Sequence, residues 1–544
     1  MSRPADPACT HGPSTRQCWS NGYSVNTNYD AVWPNTGRMV TYTLDIQNKT
    51  LAPDGVPRPV YAVNGQFPGP TIRANWAFTG TESGSGQTNS MDGTGGITEC
   101  PLAPGHSRTY TFLCTQFGTT WYHSHYSDQY SDGVVGSIVI DGPASSNYDI
   151  DYKDPMQITD WFHTPAFTLA PLLQSGQIRG APKADNILFN GTNVYPSNGT
   201  NTTGQYNRVT LVKGKKHRLR LINTSTNDNF KVGLDGHNMT VIASDFVPLK
   251  PWVTDFLFLG IGQRYDVIIN ANQPVDSYWF HAIPQAGCSD NLVANGVSIF
   301  TYEGANNTTP SAANRNNSPA TNNDCNDPND KLVPYVKLNV PTNGTIPDHS
   351  HLNVSLAIVQ NEINQTLVQW LLNETAIQAP WQRPTLQHAL DNDDLTFPHA
   401  ANLISLPNAN TWSYWIIQAL NIPRVPPSAH PIHLHGHDFY VLGAGAGIFA
   451  NNQSSLKYDN PPRRDVAMLP PAGWLALAFI TDNPGAWLMH CHIGWHISLG
   501  LGAQFLEEPA ELRAKGVNQQ WREQCDAWNK YYETAPFKQT DSGF

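Results

Sequence analysis

The chain has 544 residues, room for several hydrophobic cores at roughly 150 residues per domain. Only 14% of them are charged, and 42 Gly with 42 Pro favour short strands and turns over long surface helices. A net charge of -11 speaks against nucleic acid or anionic lipid as partner, and no window approaches the roughly 18 uninterrupted apolar residues of a membrane span.

Taken from the N-terminus, MSRPADPACT lacks the apolar core of a signal peptide. Alternating apolar and β-branched stretches follow as predicted strands: MVTYTLDIQ, RVTLVKGKKHRLRLIN, RYDVIIN and WLALAFI, each bounded by Gly, Pro or Asn. The segment Trp121-Tyr-His-Ser-His, followed by a strand ending at Pro143, is echoed by Trp487-Leu-Met-His-Cys-His and a strand ending at Pro509. A degenerate third copy, Tyr278-Trp-Phe-His281, has one His instead of a pair. An all-β chain of three related domains is expected, with a first boundary near 142–154 and an Asn/Pro/Ser-rich linker over 306–330.

About fourteen Asn-x-Ser/Thr sequons, among them Asn48, Asn190, Asn223, Asn238, Asn343, Asn364, Asn373 and Asn452, point to a secreted glycoprotein whose signal is absent from this chain. Eight cysteines suit a large secreted protein with a few disulfides. Cys9 with Cys18, Cys288 with Cys325 and Cys100 with Cys525 are candidate pairs, although spacing alone does not fix connectivity.

Cys491 has a different setting, between His490 and His492. On a strand, residues i and i+2 share a face, so His123 and His125, His433 and His435, and His490 and His492 form three same-face pairs. Cys491 must then point away from the site served by its two neighbours, so one peptide segment borders two metal sites. A thiolate with two imidazoles is the ligand set of a blue copper centre, and His430 and His496 are the available imidazoles. Zinc is the competing metal. Leu501, five residues past His496 where a weak Met ligand would be usual, cannot coordinate, which implies a high reduction potential.

These motifs, with GPTIRANW, GITECPLAPG, HRLRLINTS, GQRYDVII, HLHGHDFYVLG, NPGAWLMHCHIGWH and a terminal Asp-Ser-Gly-Phe, resemble the multicopper oxidases and, within them, the laccases of ascomycete fungi. The resemblance implies three consecutive cupredoxin-like Greek-key β-sandwich domains: 1–145 with ligands of a trinuclear cluster, 146–305 without copper but contributing to a substrate pocket, and 306–544 with type 1 copper and further cluster ligands. By position, His430, Cys491 and His496 resemble type 1 ligands with Leu501 as axial neighbour; His433 resembles a type 2 ligand; His123, His125, His435, His490 and His492 resemble type 3 ligands. Asp92 resembles a proton-relaying carboxylate and Asp245 the acidic residue that takes the phenolic proton at an open site.

One departure stands out. Such enzymes carry a first His-Trp-His-Gly motif, whereas the stretch between Trp76 and Met91 is Gly/Ser/Thr-rich and contains no histidine; His106, in Pro-Gly-His-Ser, offers no pair. The expectation is an oxidase in which phenols or aromatic amines lose single electrons at type 1 copper and dioxygen is reduced at the cluster, four coppers per chain if it is complete. The rival is a blue copper protein that transfers electrons without oxidase turnover.

Overall fold

A computed structural model describes residues 9–76, 89–196, 202–306, 309–310, 325–342, 350–360, 365–391, 397–419, 427–450 and 455–544. Strand pairing falls into three chain segments, 46–141, 150–302 and 350–507, and no sheet among the described residues joins strands from two of them. The chain is all-β, three β-sandwiches in a row. No helix among the described residues is long and apolar enough to cross a membrane.

In the middle sandwich, a five-stranded sheet faces one built around Arg264–Asn270 and Lys216–Asn223. Alternation along these strands sends Phe230, Val232, Val241, Val267, Phe280 and Phe300 into one core, all at 0% exposure. The last sandwich sets a six-stranded sheet against a five-stranded one in the order Leu403–Leu406, Gly502–Glu507, Gly485–Cys491, His430–Leu434, Val466–Leu469.

The internal repeat is visible as geometry. Gly118–His123 pairs antiparallel with Val135–Asp141, Ser277–Pro284 with Gly296–Tyr302, and Gly485–Cys491 with Gly502–Glu507. The three tryptophans take corresponding places, Trp121 opposite Ser137, Trp279 opposite Ile299 and Trp487 opposite Phe505.

All three candidate disulfides form. Cys100–Cys525 fastens the first sandwich to the helix Gln519–Thr534. That helix starts where the Asn518 side chain accepts from the Trp521 amide at 2.9 Å, and it buries Trp521, Gln524, Cys525 and Trp528, one face at helical spacing.

Several strand expectations need correction. Of MVTYTLDIQ only the end lies in a strand, Ile46–Leu51; residues 38–45 run without a strand partner among the described residues, and alternation without a partner does not make a sheet. RVTLVKGKKHRLRLIN divides into Arg208–Leu211 and Lys216–Asn223, because Gly214 turns the chain at φ +79°. Asn223 is no glycan acceptor: it is 0% exposed, and its amide donates to the carbonyls of Asp228 and Leu259 at 2.9 and 3.1 Å. Asn48, Asn238 and Asn373 are exposed. Sequons Asn343, Asn364 and Asn452, most of the linker over 306–330, and residues 77–88 of the histidine-free stretch lie outside the described residues.

Candidate metal centre

The five-stranded sheet of the last sandwich sorts the ligand candidates. His430–Leu434 runs antiparallel to Gly485–Cys491 with His433 opposite His490 and Ile432 opposite Cys491. Opposed residues share a face, so the two imidazoles project one way and the thiol the other. His435 and His492 continue the imidazole face just past the strand ends. From the first sandwich, His123 ends the strand Gly118–His123 and His125 follows two residues on.

Six imidazoles therefore converge. Ring centroids lie 4.8 Å apart for His125 and His435, 5.3 Å for His123 and His492, and 4.8 Å for His433 and His435. The Nε2 atoms of His125, His435 and His490 are buried without a hydrogen-bond partner, and one ligand atom from each of these residues lies within 4.8 Å of the others. Leaving three polar nitrogens so is costly, and a cation at their meeting point satisfies all of them.

The opposite ring nitrogens are occupied. His435 Nδ1 donates to both Asp92 carboxylate oxygens at 3.0 and 3.1 Å, His433 Nδ1 to the Asp465 carbonyl at 2.7 Å and His490 Nδ1 to the Cys491 carbonyl at 2.9 Å. Such bonds fix the tautomer that leaves Nε2 free for metal. Desolvation lowers His433 to about 4 and His123 to about 3, and it moves His125, His490 and His492 in the same direction. Trp121 stacks against His123 and His492, with centroids at 4.2 and 5.2 Å.

On the other face, Cys491 Sγ lies 3.7 Å from His430 Nδ1 and 3.5 Å from His496 Nδ1. Those two nitrogens are 3.1 Å apart. Cys491 is 0% and His430 2% exposed, and burial pushes the thiol up while it lowers His430 to about 4. A buried thiol of this kind ionises beside a cation, so the donor set suits a soft metal. Leu501 is buried with an aliphatic side chain, and its carbonyl accepts from the Cys491 amide at 3.1 Å. Trp370, absent from the sequence reading, packs on His496 and His430 at 4.4 and 5.1 Å; its strand, TLVQWLL, holds no ligand to draw attention to it.

Other candidates divide. Asp92 meets the cluster through His435; burial alone would raise its carboxyl, but His435 holds it below the ordinary value. Asp245 is a correction. It is 2% exposed, accepts from the Arg264 amide at 2.9 Å and from Arg464 Nε and the Asp465 amide at 3.3 Å each, and is an ion-pair partner, not a carboxylate facing an open site. His281 donates Nε2–H to Asp235 at 2.8 Å within the middle sandwich and belongs to neither metal-ligand group. His106 is exposed. His437, the fourth histidine of its motif, pairs with Glu507 at 2.8 Å. Phe544 is 3% exposed and lies 6.3 Å from the His125 ring.

The fit to copper is uneven. His430/Cys491/His496 and His125/His435/His490 are the two closed donor groups among the described residues. His433 and the pair His123/His492 have fewer neighbours of that kind, and residues 77–88 supply neither His nor Cys.

Residues 78–145, 154–305 and 377–511 each match a multicopper oxidase family model. The chain is 43% identical to Laccase-2 of Podospora anserina, over 98% of this chain and 89% of that protein, and 43% identical to a laccase of Cryphonectria parasitica, over 97% and 93%. The first alignment spans 573 positions, more than the 544 residues here, so that relative has residues without a counterpart in this chain. The crystal structure of a laccase from Botrytis aclada superposes with a TM-score of 0.87 at 35% identity, covering 99% of this chain and 100% of that one.

Proposed function

The chain belongs to the multicopper oxidases and is an oxidoreductase of the laccase type with three cupredoxin domains; on that premise we propose that type 1 copper is held by His430, Cys491 and His496. Leu501 is its non-coordinating axial neighbour. His123, His125, His435, His490 and His492 are the type 3 ligands, and His433 is the type 2 ligand. When bound, copper supplies a one-electron acceptor for phenols or aromatic amines and the site at which dioxygen takes four electrons.

The observation that carries this reading is the peptide His490–Cys491–His492, whose middle side chain joins the thiol site while its flanking side chains join the imidazole cluster. The backbone of this peptide would link a metal at the thiol site to metals at the imidazole cluster by a continuous covalent path. Burial of Cys491 and His430 keeps water from the sulfur. Asp92 Oδ1 and Oδ2 hold the proton of His435 Nδ1 and accept from Thr94 Oγ1, a pair of hydrogen bonds suited to passing protons toward the cluster.

The middle domain contributes to the substrate approach. Its Thr226 carbonyl accepts from the Gly494 amide at 2.8 Å, and its Phe162 ring meets Trp495 edge-on at 5.5 Å, both on the segment that presents His496. Three disulfides and exposed sequons at Asn48, Asn238 and Asn373 fit a secreted protein.

The test is absorbance together with oxygen uptake on the copper-loaded chain. The wild type is expected to be intensely blue and to couple phenol oxidation to oxygen uptake, and Cys491→Ser to be colourless and inactive. A colourless oxidised wild type, or phenol oxidation without oxygen uptake, overturns the reading.

A further inference from the structure

The middle domain holds no histidine pair, yet one of its turns lies on the imidazole cluster. Between Leu257–Leu259 and Arg264–Asn270 the chain turns through residues 260–263. Gly262 has φ +79°, and a Cβ built on it would lie 2.6 Å from His492 Cδ2 and 3.1 Å from Nε2. Backbone thus touches a ligand ring where any side chain would displace it. The turn is braced, with the Gly262 amide donating to the Asn223 carbonyl at 2.9 Å and its own carbonyl accepting from Arg264 Nη1 at 3.2 Å.

Arg264, 2% exposed, reaches both flanking domains. Its Nε donates at 3.0 Å to the carbonyl of Thr119, in the strand that ends at His123. Nη1 and Nη2 donate to Asp465 Oδ1 and Oδ2 at 2.5 and 2.7 Å, a two-pronged pair that fixes direction as well as distance. The carbonyl of that same Asp465 accepts His433 Nδ1–H at 2.7 Å and the Leu434 amide at 3.2 Å.

We propose that Arg264 and Gly262 are positioning residues for the imidazole cluster: Arg264 locks Asp465 so that its carbonyl aims His433 Nε2 inward while tying the His123 strand to it, and the Gly262 backbone seats His492. The inference rests on the reading that the cluster binds copper. An ion pair serving only as glue between domains has no reason to grip the residue whose carbonyl orients a ligand. Misaimed imidazoles lose metal, since partners behind metal ligands are worth about 10- to 100-fold in affinity.

Arg264→Lys keeps the charge and loses the fork; Gly262→Ala keeps the ion pair and pushes on His492. Both are read in the full chain by chelator competition for copper, by the paramagnetic resonance of the non-blue copper, by blue absorbance and by thermal melting. The expected result is about 10-fold or greater weakening of non-blue copper in each variant and an altered non-blue spectrum, with the blue absorbance retained. Non-blue copper of wild-type affinity and spectrum in both variants overturns the inference, as does parallel loss of blue and non-blue copper with a lowered melting temperature. A wild type that binds no copper beyond the blue centre overturns the underlying reading, and the inference with it.

Discussion

His433 and His490 are register partners in adjacent antiparallel strands, with ring centroids 5.5 Å apart. The pairing places Cys491 opposite Ile432, on the face of the apolar cluster that also contains Leu501. Because side chains alternate with a period of two, a slip of one residue would bring the thiol into the imidazole cluster and empty both sites together. The register is held by Leu434 opposite Met489, both buried, and Trp487 opposite Phe505 holds the same strand in register with its other neighbour, Gly502–Glu507.

Asp92 acts on the cluster through the second nitrogen of His435. Asp92→Ala frees that nitrogen, and the expected outcome is copper affinity at His125/His435/His490 lower by about 10- to 100-fold with the blue absorbance unchanged. Chelator competition followed by copper quantitation measures it; unchanged stoichiometry under competition contradicts the assignment.

Asp245 stands between Arg264 and Arg464, both nearly inaccessible. Removing one member of a buried ion-pair network leaves its partners uncompensated, so Asp245→Ala is expected to cost about 3–5 kcal/mol of unfolding free energy. Among molecules that remain folded, phenols and substrates that release no proton should slow equally. Denaturant melts and paired kinetics check this, and slowing confined to phenols would reinstate a proton-accepting role.

The strand period made much of this legible. His-x-His spacing and the intervening Cys491 announced two sites on two faces, because that inference needs only alternation. Contacts between distant segments had no such local signal. Ser244-Asp245 reads as a strand end followed by an acid, and nothing nearby announces Arg464; Gly262 reads as a turn glycine, and only folding sets it on His492. MVTYTLDIQ alternates as a strand should, but residues 38–45 find no strand partner among the described residues.

A buried carboxyl two residues past Thr226, whose carbonyl accepts from the Gly494 amide, gives a pH signature. Asp228 is 0% exposed, accepts from Asn291 Nδ2 at 2.6 Å and the Asp290 amide at 3.0 Å, and burial raises it to about 6. The native state therefore binds more protons than the unfolded chain, whose Asp titrates near 3.9. Stability from this group is full below that value and is lost as pH rises through about 6. Asp160 is raised in the same direction by burial and by Asp228. Denaturant melts should show Asp228→Asn with a shallower decline over this range than wild type; equal slopes contradict it.

The first sandwich offers the last prediction. Residues 38–45 and 106–115 extend without strand partners among the described residues, exposing Val40 at 42%, Tyr42 at 43%, Tyr110 at 42% and Phe112 at 48%. Unpaired edges with apolar side chains in water mark places where a sheet lacks a strand. The sequence between Trp76 and Met91 has no histidine, and the Podospora relative has residues that this chain lacks. These two observations motivate one graft, a segment carrying the His-Trp-His pair that the family resemblance leads one to expect here. Grafting such a segment between Trp76 and Met91 should raise copper per chain, raise the melting temperature and increase oxygen uptake by about 10-fold or more, since lost ligands weaken metal more than lost partners behind them. The blue absorbance should not change, because His430, Cys491 and His496 lie on the far face of the last domain's sheet. Equal copper content and equal oxygen uptake before and after grafting would show that six imidazoles suffice.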